Sequence, residues 1–273
     1  MNNLQQEFLE RDTVSESGKR FYRGVISASE NRKGVLDVDT VKGCSFGLHR
    51  HPNGGCYGEC YALKIARQYG VEFSRSVSRL PTPKAFRAVF FSVQQFKASW
   101  YRIGTAGDPS CDWNNTISVI ERLAPTGKTA IVITKHWISI SEKHIAALKR
   151  FGVIVNTSCS GLDSDLETKY RISQMDRLRD GGVKSICRVI TCQFGNSDWA
   201  KKCKARQDLL LKIIPIIDNP LRASKSNPRV LSGEIILTKV PSAIGGGKNV
   251  SLHRDGIYLG ECSKCPDQCG VNL

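Results

Sequence analysis

Three cysteines near the start of the chain, Cys44, Cys56 and Cys60, are the residues best suited to chemistry. They lie in a glycine-rich stretch, residues 43–62, that reads Gly-Cys-Ser-Phe-Gly-Leu-His-Arg-His-Pro-Asn-Gly-Gly-Cys-Tyr-Gly-Glu-Cys-Tyr-Ala. Thiolate sulfur is a soft ligand, so a loop carrying three of them can close around one metal centre and leave a coordination position open. Zinc would take a fourth ligand, and His49 or His51 in the same loop could supply it. A 4Fe-4S cluster held by three thiolates would instead keep one iron free for a substrate or cosubstrate. Spacing alone leaves both open, together with the plainer reading that the thiols are buried as small apolar side chains.

A second set, Cys262, Cys265 and Cys269, falls within eight residues after a Gly-rich turn at 245–247. That density reads as another metal site, iron-sulfur or zinc, short of one ligand. Cys111, Cys159 and Cys192, at or just past strand ends, are the candidates for it. The alternative is a terminal segment with spare thiols. Eleven cysteines is an odd number. The first ten residues are polar and partly acidic, and no apolar run approaches the roughly 20 residues of a membrane span. The expected setting is a reducing cytoplasm without a membrane partner, where clustered cysteines serve as ligands or catalysts rather than disulfides.

Strands and helices alternate in a way that can position these groups. Residues 34–41 alternate apolar and polar, as a strand with one buried face does. The cysteine loop follows, and then helical spacing over 59–69 with Gly70 as its cap. Thr82 can cap a second helix, with Pro83 in its first position. Strands are expected at 100–104, 129–134, 153–157, 183–191 and 233–238. Helices are expected at 114–123, 141–150, 165–179 and 199–214. Six strands joined by helices require parallel pairing through right-handed crossovers, in a partial barrel or an open doubly wound sheet. Either way the functional face lies where strand C-terminal ends meet the next loops. Cys44, Gly107 with Asp108 and Cys111, Lys135 with His136, Ser158 with Cys159, Cys192 and Lys239 are therefore expected at one cavity. Residues 1–33 read as an N-terminal arm, 34–240 as the α/β body and 241–273 as a cysteine-rich extension.

The formal charge of +15 is concentrated. Residues 61–100 hold seven Lys/Arg against one acid, and residues 199–230 hold eight against two. Such an excess draws phosphates, so a nucleic acid or nucleotide is an expected partner; a solubilising basic surface is the bland alternative. The helix start at 201–206, Lys-Lys-Cys-Lys-Ala-Arg, suits phosphate contacts or a solvated face about equally.

The run Cys56-Tyr57-Gly58-Glu59-Cys60-Tyr61-Ala62 after a strand, followed by Gly107-Asp108-Pro109 after another, resembles the radical S-adenosylmethionine superfamily. It is similar in particular to phage-borne and mobile-element members with Cys-Tyr-Ala at the last cluster cysteine, and to the spore photoproduct lyase-like branch. The spacing here, eleven residues and then three, is wider than the family's three and then two. The resemblance implies a partial, six-stranded parallel β/α barrel over 34–240, with a cysteine-rich metal-binding tail. It implies that Cys44, Cys56 and Cys60 bind a 4Fe-4S cluster whose open iron chelates S-adenosylmethionine. Gly107 and Asp108 match the element that receives the methionine amino group, Tyr57 and Tyr61 are the candidates for the adenine, Ser158 for the ribose and Arg188 for the carboxylate.

The expected activity is generation of a 5'-deoxyadenosyl radical that modifies or repairs a nucleic acid or nucleotide, with electrons from a reductase such as a flavodoxin or ferredoxin. Metal ligands are expected at Cys44, Cys56, Cys60, Cys262, Cys265 and Cys269, with Cys111 or Cys192 completing the second, iron-sulfur or zinc, site. The alternative function is a zinc- or cluster-stabilised nucleic-acid-binding protein without catalysis.

Overall fold

The computed structural model describes residues 18–31, 34–47, 56, 60–190, 196–214, 232, 250–253, 256–259 and 268–272. The protein is mixed α/β, and its strands include a six-stranded, mostly parallel sheet. Met1–Ser29 with Leu36–Val153 make one compact unit, and Glu30–Val35 with Ile154–Leu273 a second. Among the described residues no helix is long and apolar enough to cross a membrane.

The first unit runs through β1 (Arg20–Phe21), β2 (Ser27–Glu30, whose last residue belongs to the second unit), β3 (Leu36–Asp39), β4 (Val41–Lys42) and α1 (Tyr61–Gln68). It continues with β5 (Val71–Glu72), β6 (Val77–Ser78), α2 (Pro83–Gln95), β7 (Trp100–Ile103), α3 (Trp113–Leu123), β8 (Thr129–Thr134) and α4 (Glu142–Arg150). Strands β3, β7 and β8 lie side by side, parallel and in chain order. Ile103, Val119, Leu123, Ile131 and Leu148 fill the core beside them without solvent exposure.

Residues 34–41 do not have the single buried face that their alternation suggests, because all four residues of β3 are buried. The polar positions survive by pairing. Asp37 lies opposite Arg102 in the parallel register, and the guanidinium donates to both carboxylate oxygens at 2.7 and 3.2 Å. A buried carboxylate is tolerable only when its charge and lone pairs are met in this way.

Helix boundaries follow local chemistry more closely. Helix α1 ends at Gly70, whose φ of +64° is a left-handed cap and whose N–H donates to the Arg67 carbonyl. Asp112 caps α3, accepting from the Asn115 amide at 2.9 Å. Thr82 occupies the N-cap of α2 with Pro83 behind it, but its hydroxyl makes no capping bond, contrary to the expectation from residue type.

The second unit contains β9 (Ile154–Ser160), α5 (Asp165–Asp180), β10 (Lys184–Ile190), α6 (Asp198–Ile213) and the antiparallel pair β11 (Val250–His253) and β12 (Gly256–Leu259). Ser164 and Glu167 close a capping box at the start of α5, the local reason that helix begins where it does. Strands β9 and β10 pair in parallel along their whole length. Strand β9 runs three residues beyond the expected 153–157, so Ser158 and Cys159 are inside the strand, not past it. All seven residues of β9 are buried, the polar run Asn-Thr-Ser-Cys-Ser included. Two further differences concern strand inventory. Ser27–Glu30, within the expected arm, is a strand, while 233–238 lies outside the described residues.

Candidate functional site

The loops that follow β4, β7 and β8 meet in the first unit. Gly43 adopts a φ of +76°, and its N–H donates to the Ala106 carbonyl at 2.9 Å. It also forms a parallel bridge with Gly107. The two glycines are required by contact as much as by conformation. A Cβ on Gly107 would stand 2.4 Å from the Val41 carbonyl oxygen, and one on Gly43 would stand 2.0 Å from that of Arg75. Backbone is thus pressed on backbone, which sets the start of the cysteine loop against the Gly-Asp-Pro turn.

Asp108 locks that turn to the end of β8. Its Oδ1 accepts from the Ser110 amide at 2.9 Å and the Thr134 hydroxyl at 2.6 Å, and its Oδ2 accepts from the Lys135 amide at 2.7 Å. The side chain is buried, so these three donors meet a charge held away from water. The family resemblance implies a ligand acceptor at Asp108; the structure adds a clamp between two loops. His136, next along, is fully buried with a φ of +51°, a strained conformation for a residue with a Cβ. Its N–H donates to Thr134 Oγ1 at 2.8 Å. Nothing in the local sequence beyond its place after a strand announces that backbone.

Cys44 is buried, and its N–H donates to the Phe73 carbonyl at 2.8 Å. It forms one packed group with Ala62, Leu63, Ala66 and Phe73, against which Cys56, Cys60, Tyr22 and Trp137 also pack. Cys60 is the N-cap residue of α1. Phe46, two residues past Cys44, stacks on Trp137 with ring centroids 5.6 Å apart and planes 8° from parallel, joining the cysteine loop to the loop after β8. Ser76 joins it to the loop after β7. The Ser45 amide donates to Ser76 Oγ at 3.1 Å, and the Ser76 hydroxyl donates to Cys111 Sγ at 3.5 Å.

The electrostatics favour neutral thiols in the absence of a cation. Burial pushes the Cys44 thiol up, the carboxylate of Asp108 and the neighbouring Cys60 add to the rise, and the amides of Gly47 and Phe46 oppose it. Burial, followed by Asp108, raises Cys111 as well. A bound metal reverses that preference, since a coordinating thiol is deprotonated outright. Cys44, Cys56 and Cys60 form no disulfide. In kind the donor set fits a thiolate-bound cluster: three thiols in one packed group, beside a loop that glycine contacts hold in place. Among the described residues, however, no three His, Cys, Asp or Glu side chains stand in an arrangement that could hold a metal ion.

The remaining predicted residues divide by unit. Ser158 lies opposite Arg188 in the β9 and β10 register, so both project from the same face. Ser158 Oγ and Asn156 Oδ1 on that face are buried without a hydrogen-bond partner. Cys269 also reaches it: in the short 3-10 turn Gln268–Gly270 its carbonyl accepts from Asn156 Nδ2 at 2.9 Å. Cys159 projects from the other face, where its sulfur is 3.9 Å from that of Cys187. Tyr61 opens α1, and Tyr57, His49, His51, Cys192, Lys239, Cys262 and Cys265 lie outside the described residues. Compared with known proteins, the sequence matches no protein-family model and none of the curated proteins.

Proposed function

We propose that the chain is a radical S-adenosylmethionine enzyme that acts on a nucleic acid or nucleotide, with Cys44, Cys56 and Cys60 as the ligands of a 4Fe-4S cluster. The observation that carries this reading is that Cys56 and Cys60 pack against the same apolar group that contains Cys44. Held by Cys44, Cys56 and Cys60, such a cluster would supply the electron for reductive cleavage of S-adenosylmethionine, the source of a 5'-deoxyadenosyl radical able to take hydrogen from a substrate.

The chain's own residues then have distinct tasks. Gly107, without a side chain, lets backbone approach backbone and keeps the turn close to the cysteine loop. A carboxylate offers about four acceptor positions. Asp108 uses three of them within the protein, which leaves one on Oδ2 for an ammonium group. The stacked Phe46 and Trp137 wall off water on one side of the thiols. In the second unit, the orphaned Ser158 oxygen suits a sugar hydroxyl and Arg188 a carboxylate. Cys262, Cys265 and Cys269 are proposed to hold a further iron-sulfur or zinc site, with Cys192 the proposed fourth ligand.

A partial barrel belongs to the same proposal. Parallel neighbours in chain order, β3 to β7 to β8 in one unit and β9 to β10 in the other, support it, because a doubly wound sheet reverses its order at a switch point. The basic stretches support a phosphate-bearing substrate, and a flavodoxin- or ferredoxin-type reductase is the proposed donor.

Anaerobic reconstitution with iron and sulfide tests the reading. The expected result is brown protein with several irons per chain that forms 5'-deoxyadenosine on reduction, and loss of that product in Cys56→Ala. A Cys56→Ala protein as productive as wild type overturns it. Colourless protein with tightly held zinc would favour a structural site in a non-catalytic nucleic-acid-binding protein.

A further inference from the structure

A groove of about 350 Å3 lies in the first unit between the start of β2 and the first turn of α2. Arg23, Arg79 and Lys84 line it with Ser27, Ala85 and Ala88; of its eight lining residues three are cationic and none is acidic. Arg79 is built into its wall. The side chain is 7% exposed, Nε donates to the Val25 carbonyl, and Nη2 donates to Ser27 Oγ at 2.9 Å. Backbone bonds hold that wall, with Leu80 N–H donating to the Gly24 carbonyl at 2.7 Å and Ile26 N–H to the Leu80 carbonyl at 3.1 Å.

The helix contributes donors of its own. The first turn of α2 contains no acid, its Thr82 hydroxyl forms no cap, and Pro83 has no N–H. The amides of Lys84 and Ala85, both lining residues, are therefore left without an intrahelical acceptor, at the positive end of the helix dipole. Thr82 Oγ1, fully buried at the same N-cap, also has no partner. One turn beyond Ala88 on the same face, Phe91 is 44% exposed, with the Arg87 guanidinium 5.8 Å from its ring centroid. From 73 to 107 the sequence holds six Lys/Arg and no Asp or Glu.

We propose that this groove binds a phosphate group, held by the Lys84 and Ala85 amides and by the side chains of Arg23, Arg79 and Lys84. The source of the phosphate is a single-stranded nucleic acid whose neighbouring base stacks on Phe91, as cationic grooves with an aromatic platform bind such strands. The strand as source rests on the nucleic-acid substrate proposed above; the anion site rests on the groove alone.

Binding of a short labelled oligothymidylate to the full chain, followed across a salt series, tests both. The double variant Arg23→Glu/Lys84→Glu is expected to weaken binding about tenfold or more at low salt, and to flatten the plot of log affinity against log salt by about 0.7, the single-strand slope for one phosphate contact. Lys84→Glu puts an acid into a helix first turn that lacks one, so the fold is retained, as an unchanged melting temperature will verify. Phe91→Ala should weaken the oligonucleotide but leave inorganic phosphate protection of the melting temperature intact. If only that protection is lost in the double variant, and oligonucleotide binding is unaffected, the groove takes a free phosphoryl ligand and the strand is discarded. Unchanged oligonucleotide affinity, salt slope and phosphate protection overturn the site. Binding needs neither iron nor S-adenosylmethionine, so its failure is separate from failure of the radical reading.

Discussion

The buried carboxylates Asp37 and Asp108 of the first unit and the buried side-chain oxygens of Asn156 and Ser158 on strand β9 of the second meet opposite fates. Around Asp108 the potential of the carboxylate is largely satisfied within the chain, by two amides and a hydroxyl, and Asp37 is matched by Arg102. On β9, Asn156 Oδ1 and Ser158 Oγ are buried and unmet. Satisfied buried polar groups rigidify a structure, whereas an orphaned one costs free energy until something supplies its partner. The first region therefore reads as scaffold that holds cysteines in place. The second leaves buried oxygens open to the ligand contact proposed above. Substitutions sharpen the contrast, because the same kind of side-chain removal should act with opposite severity in the two places.

The largest effect is expected from Asp108→Ala, which strands two buried donors and a part-buried one at once. Each unsatisfied group costs about 1–3 kcal/mol, so a loss of about 3–5 kcal/mol should appear as a lower urea midpoint at unchanged slope. A shift within about 0.5 kcal/mol would mean that Asp108 is not a clamp, since that is the scale of an ordinary surface substitution.

Gly107→Ala comes next, at about 2–3 kcal/mol, on the scale of overpacking a filled site, because its Cβ meets backbone that has nowhere to move. Gly127→Ala is its control. That glycine has a φ of +69° and open space around it, so the variant pays only the left-handed penalty of about 1–2 kcal/mol. Equal melting temperatures for the two variants would contradict the contact between the cysteine loop and the Gly-Asp-Pro turn.

Ser158→Ala should be the mildest, within about 0.5 kcal/mol of wild type or slightly stabilising, since a hydroxyl without a partner is removed. Thr134→Val, which removes the hydroxyl that donates to Asp108 and accepts from the His136 N–H, should instead cost about 2 kcal/mol. If S-adenosylmethionine protects wild type from unfolding but protects Ser158→Ala less, the orphaned oxygen is a ligand contact. Destabilisation of the ligand-free Ser158→Ala protein beyond that of Thr134→Val would erase the distinction between the regions.

Much of this architecture could be read from short stretches, for local reasons. Strand β8 has the expected bounds because Thr-Ala-Ile-Val-Ile-Thr is β-branched and apolar between turn residues. Helix α1 stops at Gly70 because a left-handed cap suits glycine. The cysteine trio, the Gly-Asp-Pro turn and the post-strand Lys-His pair were visible as candidates through residue type and position alone. Strand β9 extends past its expected end in a polar run whose Asn, Thr and Ser resemble a loop when nothing shows that they are covered. Ser27–Glu30 was missed because a short polar strand carries little periodicity.

What residue order determined by itself, then, is the alternation of elements, the helix stops and the identity of the thiols, all of which depend on neighbours within a few positions. Tertiary structure decided which polar groups are satisfied and which remain open. Asp37 finds Arg102 across 65 residues, Asp108 finds Thr134 across 26, and Asn156 finds the Cys269 carbonyl across 113. Hydrogen bonds act over a few ångströms of space and are indifferent to distance along the chain, so only the folded backbone could assign those partners.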